Sequence, residues 1–213
     1  MRTRTLPILL LAILATLAVV AIGSEGQTPP PSSGTWEIYD ETTYSDVDLD
    51  LPGGIMVYSP GRLTLTNVDL TVGGTGSPMV RVENGGLLDW DGGNLSYSSS
   101  FPPRVELDVG CNLNGVTMDT TYGVYIRGFG VNVTNCTFGG TNSHGVFINT
   151  IPSRPVQGTV VVADNTFNSL LRSPISGVVV TPDNSSAGDV IVGNTILGTS
   201  SSDGINLTLN APS

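Results

Sequence analysis

One apolar position recurs along the chain at Leu70, Leu95, Met118, Phe138, Phe167 and Ile196. The six are spaced 20 to 29 residues apart, and each falls three places after an Asn, Gly or Asp. A second signal runs beside it as a short alternating pair, G-V-x-I in its cleanest form. Its members are Ile55/Val57, Val80/Val82, Val105/Leu107, Val124/Ile126, Val146/Ile148, Val178/Val180 and Ile205/Leu207. Apolar residues two apart predict a short strand with one buried face. Strand signals repeating every 20 to 30 residues, with no helical spacing between them, predict a solenoid. The expected architecture is all-β: a right-handed, single-stranded parallel β-helix of about seven coils, rising about 4.8 Å per coil.

Aligned on these columns, GRLTLTNVDLTV (61–72) matches GLLDWDGGNLSY (86–97). CNLNGVTMDT, VNVTNCTFGG, VVVADNTFNS and DVIVGNTILG follow in the same frame. Within each segment the apolar residues alternate, as in Leu63/Leu65, Leu88/Trp90 and Val131/Val133. Stacking equal positions puts the Leu70-to-Ile196 series in one interior file. The column just before it (Asp69, Asn94, Thr117, Thr137, Thr166, Thr195) then points outward and can hydrogen-bond along the rod. Asn67, Asn135, Asp164, Asn165 and Asn194 gather at the adjoining turn, where Asn and Asp tolerate left-handed backbone. The long insertions Thr150–Gly158 and Leu170–Ser176 are expected to project from one side.

The N-terminal region departs from this pattern. Arg2 and Arg4 precede an apolar run, Leu6–Ile22, that ends in Gly23-Ser24. Residues 1–23 therefore read as a signal peptide or an N-terminal membrane anchor; length and flanks fit both. Basic residues ahead of the run place the rest outside, secreted or on the outer face of a membrane. Residues 24–34 are a Pro/Ser-rich linker whose three consecutive prolines favour an extended stalk. The β-helix domain is expected over 35–213, with 35–50 as its N-terminal cap. The last strand pair lies so near Ser213 that an end-to-end partner at an uncapped C-terminus is one expectation.

Composition narrows the partners. Acidic residues number 18 against 8 basic ones, all arginine, for a formal net charge of −10. Such a surface repels phosphate backbones and argues against nucleic-acid binding.

With their N/D/G-x-T-F/I core and following G-V-x-I/V, the repeats resemble those of the pectate-lyase-like superfamily. The resemblance is closest to the generic right-handed β-helix region of many secreted and surface proteins, and it covers residues 47–210. It implies the fold; the scaffold hosts lyases, hydrolases, adhesins and non-catalytic surface proteins alike.

The candidate chemistry is sparse. Ser143-His144-Gly145 matches a motif that the resemblance to β-helical polygalacturonases would make catalytic, but no Asp-Asp pair accompanies it, and inverting hydrolysis needs two carboxyls. A lyase of this superfamily would hold calcium on aspartates of adjacent coils and use an arginine base. Asp69, Asp89 and Asp91 are the calcium candidates, with Asp108 a further carboxylate, and Arg81, Arg104 and Arg127 are the candidate bases. Asp89, Asp91, Arg104 and His144 thus form the catalytic shortlist. Cys111 and Cys136 can pair outside a cell, although they sit at different positions of adjoining coils. Sequons at Asn94, Asn132, Asn135, Asn184 and Asn206 are candidate glycosylation sites. The expected role is non-catalytic and needs no cofactor: carbohydrate binding, adhesion or envelope structure, with a polysaccharide or an envelope component as partner. The alternatives are a calcium-dependent polysaccharide lyase or a glycoside hydrolase acting on acidic polysaccharide, or the N-terminal part of a longer surface rod.

Overall fold

A computed structural model describes residues 27–74, 79–83, 85–119, 121–139, 145–149, 159–168, 174–180, 190–197 and 205–210, with the side chains of 176–180 and 206–210 excepted. The described chain is all strand and turn, wound as a right-handed parallel solenoid. Three parallel sheets form its walls. The first has eight strands: Trp36–Ile38, Ile55–Val57, Met79–Val82, Arg104–Leu107, Val124–Ile126, Val146–Asn149, Ile175–Val180 and Ile205–Asn210. The second has seven: Glu41–Ser45, Arg62–Thr66, Leu87–Asp91, Asn112–Asn114, Asn132–Thr134, Val161–Ala163 and Val190–Val192. The third has seven: Asp48–Leu51, Asp69–Val72, Asn94–Tyr97, Thr117–Asp119, Thr137–Gly139, Thr166–Asn168 and Thr195–Leu197. Followed without a break through described residues, the chain completes fewer turns than the seven expected, because 75–78, 84, 120, 140–144, 150–158, 169–173, 181–189 and 198–204 lie outside them.

The interior file forms as the spacing predicts. Leu49, Leu70, Leu95, Met118, Phe138, Phe167 and Ile196 stand in register on the third sheet. All are buried except Ile196, which is partly buried. The second and third sheets are joined by a two-residue corner. Its first residue is left-handed in every coil: Asp46, Asn67, Gly92, Gly115, Asn135, Asp164 and Gly193 have φ between 51° and 75°. Only Gly, Asn and Asp accept that conformation at low cost, which explains the Asn, Gly or Asp three places before each interior residue.

The second corner residue points inward, and here two expectations change. Asn165 and Asn194 take this position, not the left-handed one. Asn165 is fully buried in the column that holds Val68, Val116 and Cys136 in the preceding coils. Its amide donates to the Val133 carbonyl at 2.9 Å, and its Oδ1 accepts the Cys136 N–H at 2.8 Å. Asn194 repeats the arrangement one coil on, donating to the Val162 carbonyl at 2.8 Å.

The pair Val178/Val180 is also displaced. Ile175 stands opposite Val146 and Gly177 opposite Ile148, so the expected pair lies further along the same strand. Ile175 is fully buried, and that apolar contact sets the register.

The stretch 35–50, expected as the cap, lies in a coil in register with the next: Trp36 pairs with Ile55, Thr42 with Leu63 and Leu49 with Leu70. The cover lies further upstream, in the stretch read as a linker. Gln27 Nε2 donates to the Thr43 carbonyl. The Thr28 N–H donates to Thr42 Oγ1 at 3.3 Å, and the hydroxyls of Thr28 and Thr42 both donate to Asp40 Oδ1 at 2.8 Å. These hydroxyls, Thr42 foremost, hold the Asp40 carboxyl below its usual range. With residues 27–31 laid across the end as a strap, Trp36, Thr42 and Leu51 are 1% exposed or less although no coil precedes them among the described residues. The leader at 1–23 lies outside the described residues; among the described residues no helix is long and apolar enough to cross a membrane.

Candidate functional site

Alternation along the first sheet turns the middle residue of each apolar pair outward. In register these residues form a row on the outer face: Met56, Arg81, Glu106, Tyr125 and Phe147. Glu106 is 5% exposed although it points away from the core. Three arginines fold over it. Arg104 Nη2 lies 2.5 Å from Glu106 Oε1, while Arg127 Nη1 and Arg81 Nε lie 3.0 and 3.2 Å from Oε2. Arg81 Nε is also 2.8 Å from Glu83 Oε1. A carboxylate withdrawn from water this far is tolerated because several charged donors replace its hydration.

The arginines are anchored without being used up. The Arg104 guanidinium lies 5.0 Å from the centre of the Tyr125 ring, a cation–π contact, and Tyr125 leans on Phe147 with ring centres 5.3 Å apart. The three side chains keep 26–38% of their surface exposed. The buried Nε of Arg104 has no hydrogen-bond partner among the described residues; that of Arg81 meets its carboxylates at short distance without hydrogen-bond alignment. Each guanidinium carries five N–H donors in a planar fork, more than the contacts to Glu106 and Glu83 use. Further along the same edge Tyr39 and Tyr58 stack with centroids 4.9 Å apart and planes 7° off parallel, Tyr39 being largely exposed.

Of the predicted residues, this brings together Arg81, Arg104 and Arg127. It does not bring them to the aspartates. Asp89 and Asp91 face outward from the second sheet, and Asp69 from the third. Asp89 pairs with Arg62 and accepts Asn112 Nδ2 at 2.6 Å; Asp91 accepts Asn114 Nδ2 at 2.7 Å; Asp69 accepts Asn94 Nδ2 at 2.7 Å. Asp89 and Asp91 thus stand on one sheet and Asp69 on the next, and an amide bonds one oxygen of each, with Arg62 on the second oxygen of Asp89. Among the described residues no three His, Cys, Asp or Glu side chains gather as metal ligands. Asp108 is buried, its Oδ1 accepting the Val109 N–H at 2.9 Å. His144 lies outside the described residues.

The sequon asparagines are rungs of polar ladders. Asn94 donates to Asp69, Asn132 to Asn112 Oδ1 at 2.6 Å and Asn135 to Asn114 Oδ1 at 2.8 Å. In each, the nitrogen that would carry a glycan is already a donor to the coil before it. Asn184 lies outside the described residues; Asn206 is on the last strand of the first sheet, its side chain outside them.

Cys111 and Cys136 are free thiols, both buried, one in the file of Leu88 and Val131 and one at the corner. Burial pushes the Cys111 thiol up to about 12 and the Cys136 thiol up to about 11. Each therefore prefers its neutral form in the fold. That preference is fully present below the thiol's ordinary value of 9.0 and is lost as the pH rises from there through about 11 to 12. A thiol reagent at pH 8 should label neither cysteine in the folded protein and both after unfolding in urea. Fewer than two thiols in the unfolded, unreduced protein would reinstate the disulfide.

Sequence reading missed Glu106, Tyr125 and Phe147 as partners of the arginines. The signal was present, since they are the x residues of the repeated apolar pairs. No protein-family model matches the chain, and no curated protein or solved structure matches it.

Proposed function

We propose that this is an exported or surface-tethered protein that binds carbohydrate without cleaving it, along the outer face of its first sheet, and that its ligands carry carboxylates. We read the solenoid as of the pectate-lyase-like kind, with about seven coils; seven or more strands in each sheet support that count. The observation that carries the functional reading is the cluster of three partly exposed arginines around Glu106, with Arg104 over Tyr125 and Phe147 beyond it. Planar guanidinium forks suit carboxylates, and aromatic faces suit the apolar faces of sugar rings. The lyase reading draws less support, because the aspartates that would hold its calcium stand on other sheets than the arginines. The chain's overall −10 charge opposes a polyanion at long range, so attraction must come from contacts within about 10 Å, the screening length at 0.1 M salt.

The test is retention of the full-length protein on immobilised polygalacturonate and alginate, with dextran as the neutral control. Unsaturated and reducing sugar ends would be followed with and without calcium. Retention on the acidic polymers, released by salt and without new ends, is the expected result. Arg127→Gln should weaken it severalfold. New ends appearing with calcium would make the protein an enzyme, and no retention would remove the binding reading.

A further inference from the structure

The arginine cluster holds two carboxylates, and they differ in kind. Glu106 is the fixed centre: its side chain is 7% exposed and is contacted by all three guanidiniums. Glu83 is peripheral. Among the described residues its carboxylate pairs with Arg81 alone, its side chain is 32% exposed, and it sits just past the end of strand Met79–Val82, where Gly85 turns the chain with φ 88°.

We propose that Glu83 is a built-in competitor for the anion site: its carboxylate occupies Arg81 in the free protein and is displaced by the carboxylate of a bound ligand. This rests on the binding reading above and adds the element that tunes it. Glu106 cannot play the part, because removing it would strand charged groups around a buried position. Glu83 can, because an ion pair exposed to this extent contributes little and is readily exchanged. Displacement is an exchange of one carboxylate for another on the same guanidinium, so charge on Arg81 stays neutralised throughout. Glu83 swings into solvent, which its exposure permits. The consequence is selectivity by charge density: a single weak anion does not repay the loss of Glu83, whereas a polymer that also reaches Arg127 and the Tyr125 face does.

Glu83→Gln keeps the shape and removes the competing charge. It should tighten binding to polygalacturonate about two- to fivefold, the range expected for removing one exposed ion pair. It should leave retention on dextran as it was. Sulfate, compared with chloride at matched ionic strength, should raise the melting temperature of Glu83→Gln more than that of the parent. An unchanged or weakened affinity for polygalacturonate in the variant overturns the competitor role while leaving the binding reading in place. Should neither protein bind any polymer, the binding reading falls and the sulfate comparison decides alone: a larger shift in the variant supports Glu83 as occupant of Arg81, and equal shifts overturn it.

Discussion

Phe167→Ala should cost about 3–5 kcal/mol of stability, the range for an aromatic removed from a tight core. Phe167 is fully buried and stacks on Phe138 with ring centres 4.9 Å apart and planes 9° off parallel. Its other flank is equally close: a Cβ built on Gly145 would stand 2.2 Å from the ring. The ring thus fills the coil from the third sheet to the start of strand Val146–Asn149, and the hydrogen-bonded walls around it cannot collapse into the space it leaves. A solenoid also has no distant contacts to compensate, since each coil touches only its neighbours. Urea unfolding followed by fluorescence and circular dichroism measures the loss. A cost below about 1 kcal/mol would mean that the coil relaxes freely around the void.

Asn165→Ala is the second large effect, and its origin is polar. The substitution leaves the Cys136 N–H without its acceptor and takes the side-chain donor from the Val133 carbonyl, in a site sealed from water. It also removes the amide that donates to Asn194 Oδ1 at 3.0 Å. An orphaned buried group costs about 1–3 kcal/mol, which is the loss expected here. Hydrogen exchange localises the effect: the Cys136 amide should lose protection, while amides of the first coils, such as that of Tyr58, should keep theirs. Unchanged protection at Cys136 would show that water or a rotated neighbour replaces the side chain.

What was legible in the sequence was whatever repeats. The file from Leu70 to Ile196 was readable because each member fills the same space and follows the same left-handed turn residue. Errors came where one residue type serves two environments. Asn165 looks like Asn135 in the sequence, yet one caps the interior and the other turns the backbone. The strap was hidden because Pro29–Pro31 carries a linker's composition, and only contact with Thr42, Thr43 and Asp40 distinguishes a strap from a stalk. At the site, the arginines are visible singly, and the superfamily resemblance pairs them with aspartates. The partners were the intervening residues of the apolar pairs, Glu106, Tyr125 and Phe147, which are brought side by side by stacking and not by proximity along the chain.

The strap at residues 27–31 gives the rod a direction. At that end the first coil is sealed, with Ile38 and Leu51 fully buried. At the other, Ile205, in register with the fully buried Ile175, is 50% exposed, and the inward Ile191 and Ile196 are only partly buried among the described residues. Coils in such a stack separate one after another, each resting on the next. Melting should therefore behave like a zip with its stop at the N-terminal side: the arginine face, held by the early and middle coils, outlasts the loosening of the far end and stays assembled while that end opens and closes.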